Sequence, residues 1–80
     1  MPSPVDKYFK EVKRDSPSYS DEQACATAWS IYCKHVNPGS PSCHKPTDEY
    51  LKREAAARPL FGFYNALLIQ KVASRFASEQ

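Results

Sequence analysis

Apolar residues recur along this chain at helical spacing, with turn-forming residues between the periodic stretches. Val5, Tyr8, Phe9 and Val12 fall at i, i+3, i+4 and i+7 and predict a first helix with one apolar face. Pro4 suits its first turn, where a missing N–H costs nothing. Asp15-Ser16-Pro17-Ser18 reads as a turn. Ser20-Asp21-Glu22-Gln23 then matches a capping box, with serine capping the third N–H and glutamine reaching back. Cys25, Ala28, Trp29, Tyr32 and Val36 continue at helical spacing and predict a second helix, with Cys33 on the edge of its stripe. Lys34 and His35 complement the dipole at its end.

Asn37-Pro38-Gly39 must end that helix, because a residue before proline leaves helical geometry and Pro-Gly favours a turn. Thr47 can cap a third helix, with Asp48 and Glu49 in its first turn. Residues 48–58 have high helix propensity, after which Pro59 either kinks the helix or starts a fourth. Phe61, Tyr64, Leu68, Val72 and Phe76 form the next stripe. Leu60, Phe63, Leu67 and Ile69 widen it beyond what a surface helix needs. The expected fold is an all-α bundle of three to four helices, with residues 1–80 as a single domain. Its expected core is Phe9, Val12, Ala28, Trp29, Tyr32, Leu51, Tyr64, Leu68 and Val72.

Composition narrows the function. With 41% hydrophobic residues the chain is too rich in apolar groups for a disordered tail. A net charge of +2 with interspersed signs speaks for solubility, not for a nucleic-acid footprint. The polar start shows no signal-peptide pattern, and Leu60–Ile69 is half a membrane span, so cytoplasm of a host cell or a virion is the expected location. Three cysteines do not pair fully, which argues against a secreted scaffold.

The corner between the second and third helices gathers Cys33, His35, Cys43 and His44. Three readings stay open. Zinc accepts thiolates and imidazoles, but adjacent Cys43 and His44 rarely both reach one ion. A Cys33–Cys43 disulfide would close a short loop and stabilise a small core by about 2–3 kcal/mol. Otherwise Cys25 and Cys33 are buried small hydrophobes and Cys43 is a loop thiol. A Cys43–His35 nucleophile pair lacks an orienting third group, and no phosphate loop or metalloprotease helix is present, so the expectation is a non-enzyme without cofactor.

That leaves binding. The wide last helix points to a protein partner or to self-association, with Phe61, Phe63, Leu67, Ile69 and Phe76 as anchors. The alternative is a small nucleic-acid-binding protein using Lys7, Lys10, Arg14, Lys52 and Arg53, although a sequence pI of about 8.5 is only mildly basic.

The run Pro17-Ser18-Tyr19-Ser20-Asp21-Glu22-Gln23-Ala24 through Ala26-Thr27-Ala28-Trp29-Ser30-Ile31-Tyr32-Cys33-Lys34, with Asn37-Pro38-Gly39-Ser40-Pro41 and Cys43, is similar to segments of uncharacterised bacteriophage and bacterial proteins. The resemblance covers roughly residues 5–50 and carries no assigned activity. It implies a phage origin, as a virion component or a binder of a host factor. It also favours Cys33 and Cys43 as a pair, since both belong to the shared pattern.

Overall fold

The computed structural model describes residues 4–39, 43 and 45–77. Regular structure among them is entirely helical: α1 (Asp6–Asp15), α2 (Asp21–Ile31) running into a π-helical turn (Tyr32–Val36), α3 (Lys45–Ala57) and α4 (Pro59–Ala77). This is the small helical bundle that the periodicity predicts.

Local chemistry explains most of the boundaries. Ser20 accepts a bond from the Gln23 backbone N–H at 3.2 Å, and the Ser20 N–H donates to Gln23 Oε1 at 3.0 Å, so the capping box forms at the start of α2. α1 begins at Asp6, which leaves Pro4 in the turn before the helix and not in its first turn. α1 ends where the Ser16 N–H bonds Val12 O at 2.8 Å and Pro17 follows. The chain stays helical to Val36, but the last turn widens. The Asn37 N–H reaches back five residues to Tyr32 O at 2.8 Å.

Pro59 starts a new helix instead of kinking a long one. Arg58 alone separates α3 from α4, and Pro59 occupies the first helical position, where proline is tolerated best. The reversal is sharp. In a straight helix residues 55 and 62 would lie about 10 Å apart along the axis. Here a Cβ placed on Gly62 would come within 2.9 Å of Ala55 Cβ. Glycine is therefore required for the two helices to touch at the corner. α3 itself begins at Lys45, so Thr47 lies inside its first turn and does not precede it.

The core is built from α1, α2 and α4. Val5, Tyr8 and Val12 meet Ala24, Ala28 and Ile31, and Leu68 and Val72 close the cluster. Phe9, Tyr19, Trp29, Tyr32, Ile69 and Phe76 pack around it, half-buried. α3 packs on α2 and α4 at the periphery, and its Leu51 is only half-buried.

Further expectations are corrected. The side of α2 toward the core is Ala24, Thr27, Ala28 and Ile31, rotated from the expected stripe, and Ala26 and Ser30 are buried as well, so Cys25 is an exposed free thiol and Val36 is exposed. Small residues on this face let neighbouring helices approach closely, and the bulkier Trp29 and Tyr32 sit at the edge, ring to ring at 5.8 Å. Tyr64 is 60% exposed and does not belong to the core. Cys33 and Cys43 form a disulfide across the corner, with Cα atoms 5.7 Å apart, so neither is the unpaired cysteine of the packing reading. No helix among the described residues is long and apolar enough to cross a membrane.

Candidate interaction face on the last helix

Nearly every residue of α4 up to Leu68 is apolar, so periodicity alone does not say which side faces the core. Asn65 decides it. This residue is buried, against the usual preference of an amide. Its Oδ1 accepts the Tyr19 hydroxyl at 3.2 Å, and the Thr27 hydroxyl lies 2.9 Å away. Thr27 also reaches the Gln23 carbonyl at 2.8 Å, so its single proton serves two acceptors. The network joins α4 to α2 and to the turn before it. Burial pushes the Tyr19 hydroxyl pKa above its ordinary value, which keeps it a donor.

With Asn65 turned inward, the helix has a fixed phase. Phe61, Leu68, Ile69, Val72 and Phe76 lie toward the bundle. Phe61 meets the Tyr19 ring at 5.6 Å, and Phe76 stands edge-on to Tyr8 at 4.9 Å. Lys7 covers the rings of Tyr8 and Phe76 at 5.2 and 5.3 Å, a cation–π contact that seals this end of the core. Ion pairs hold the same end. Arg75 bonds Glu11 and, at 3.2 Å, Asp15, and Lys71 lies 4.0 Å from Asp15.

The opposite side of α4 has no such partners among the described residues. Leu60, Phe63, Tyr64 and Leu67 are 68, 61, 60 and 49% exposed. They fall at i, i+3, i+4 and i+7 and form one continuous stripe about two turns long. Phe63 and Tyr64 pack on each other edge to face at 5.7 Å, so the two rings make a raised centre. From Pro59 to Gln70 the helix carries no charged residue.

No family model, curated protein or solved structure matches this chain.

The structure sorts the sequence-derived site residues. Of the five anchors, Phe63 and Leu67 lie on the exposed stripe. Phe61, Ile69 and Phe76 are half-buried against the bundle and serve packing. Leu60 and Tyr64 are the other two members of the exposed stripe. The uncharged run after Pro59 carries the signal for this face, since a helix face that meets only water normally carries charge.

At the cysteine corner the sulfurs of Cys33 and Cys43 are bonded to each other, so neither offers the thiolate that a zinc site or a Cys43–His35 nucleophile pair requires. His35 is exposed on the π-helical turn, and His44 lies outside the described residues. Among the described residues no three metal-binding side chains converge.

The basic residues are spread over two separate helices: Lys7, Lys10 and Arg14 on α1, Lys52 and Arg53 on α3. Lys10 pairs with Asp6 at 3.3 Å and Arg14 with Glu11 at 3.7 Å, which offsets part of the α1 charge. Between α2 and α3, burial and the Glu54 and Glu22 carboxylates raise the Tyr50 pKa.

Proposed function

We propose that this protein is a non-enzymatic interaction module that docks through the outer face of α4. The observation that carries this reading is the uncharged stripe of Leu60, Phe63, Tyr64 and Leu67, held outward by the buried Asn65 network. Large aromatic and leucine side chains clustered at the centre of a rigid helix are the groups that dominate binding energy at protein interfaces. The polar network and the α1–α4 ion pairs brace the helix, so little freedom is lost when a partner docks. A virion component and a host-factor binder would both use such a face.

The test is site-specific crosslinking in the producing cell. A photoreactive phenylalanine analogue replaces Phe63 in one version of the protein and Lys10, on the far side of the bundle, in another. Covalent adducts, to a second copy or to another protein, are expected from position 63 and not from position 10. Equal labelling at both positions, or none at position 63, would overturn the proposal.

A further inference from the structure

The stripe has an internal symmetry. Read forward it is Leu60, two residues, Phe63-Tyr64, two residues, Leu67; read backward it is leucine, two residues, an aromatic pair, two residues, leucine. Its midpoint falls between Phe63 and Tyr64. An antiparallel copy laid on this face with a two-fold axis through that midpoint sets Leu60 against Leu67 and Phe63 against Tyr64. Four aromatic rings then cluster on the axis, with leucine pairs at either end. A two-fold interface needs such a self-complementary patch, because the same surface serves both partners.

Charge meets the condition that a copy imposes. In a two-fold contact every charge near the axis meets its own duplicate, so an isologous patch must be neutral at its centre. Pro59 to Gln70 contains no Asp, Glu, Lys, Arg or His. The cations that bound this run are both partnered within the chain: Arg58 lies 3.8 Å from Glu54 and Lys71 lies 4.0 Å from Asp15. Across the two-fold these cations come near each other at the rim, and their carboxylates temper the repulsion.

We infer that the outer face of α4 is the contact of an antiparallel homodimer centred on Phe63 and Tyr64. The inference rests on the proposed docking role of this face and names its occupant. The area sets the strength. From side-chain exposures of 49–68%, the four residues offer on the order of 400 Å² per copy, against about 800 Å² per partner in a standard stable interface. The dimer is therefore weak and forms with rising concentration.

Sedimentation equilibrium of the purified chain, from low micromolar to near-millimolar protein, tests this. The mass is expected to climb from the 9.1 kDa of one chain toward twice that value. Phe63→Glu, which puts a charge at the axis, is expected to weaken association at least tenfold while circular dichroism shows an unchanged helix content. The pairing is tested by two double variants. Leu60→Glu with Leu67→Lys places opposite charges across the interface and keeps the dimer, whereas Leu60→Glu with Leu67→Glu abolishes it. Identical behaviour of these two variants overturns the antiparallel register, and a dimer that survives Phe63→Glu overturns the face. A chain that stays monomeric throughout overturns self-association. If position 63 still crosslinks to another protein in the cell, the docking role stands with a different occupant. If it crosslinks to nothing, that role fails as well.

Discussion

Two buried polar residues on facing helices have opposite meanings. Asn65 is partnered by Tyr19 and Thr27, while Ser30 Oγ is buried without a hydrogen-bond partner among the described residues. Replacing Asn65 with alanine strands the Tyr19 hydroxyl and opens a gap, so stability should fall by about 1–3 kcal/mol. Replacing Ser30 with alanine removes an unsatisfied group and should leave stability unchanged or raise it by up to about 1 kcal/mol. Urea titrations of both variants beside the parent check the signs. Two losses of similar size would mean that Ser30 finds a partner in solution. Tyr19 adds a pH dependence. Its folded pKa is raised by burial, so the folded state holds its proton after the unfolded chain has lost it. The favourable state is complete below the ordinary tyrosine pKa near 10, and stability is lost as pH rises from there through the folded value. Urea midpoints measured across that alkaline range should fall for the parent and fall less for Tyr19→Phe.

At the scale of the helices, the corner at Arg58 controls where α4 points. Gly62 sits against Ala55, and any side chain there must displace it. Gly62→Ala should cost about 1–3 kcal/mol through overpacking, even though alanine is the better helix former. Ala55→Gly should relieve part of that loss when combined with it. A double-mutant cycle measures the coupling, and simple additivity of the two changes would show that the contact is not tight. The shared core of α1, α2 and α4 was partly legible in the chain. Val5, Tyr8 and Val12 were readable because apolar residues alternate with charged ones on α1. The phase of α2 was not, because its true inner face is made of Ala24, Thr27, Ala28 and Ile31. Alanine and threonine give a weak hydrophobic signal next to Trp29 and Tyr32, yet small groups are what close helix packing selects.

For the molecule as a whole, the disulfide is the main covalent restraint. It joins the π-helical turn after α2 to the approach to α3, closing a loop of ten-residue separation. By loop-closure entropy it contributes about 2–3 kcal/mol, a large share of what so small a core can supply. The oxidised chain should show one reactive thiol, Cys25, under denaturing conditions, and three after reduction. Cys33→Ser with Cys43→Ser should lower the urea midpoint by the corresponding amount. Three reactive thiols in the untreated protein would refute the bridge. Disulfides persist where the surroundings are oxidising, so the thiol count also reports on where the protein matures.

The sequence by itself determined the helical class, the capping box at Ser20, the turn after Asn37 and the wide apolar span of α4, because these depend on neighbours within a few residues. It left three readings of the cysteines open, and only the folded chain brings Cys33 and Cys43 to bonding distance. The tertiary structure alone decided which side of α4 faces out. On a helix nearly all apolar from Pro59 to Leu68, the deciding term is a buried hydrogen-bond network: Tyr19 and Thr27 lie 46 and 38 residues from Asn65 in sequence and meet it only when the bundle closes. That long-range bond turns Leu60, Phe63, Tyr64 and Leu67 to the surface.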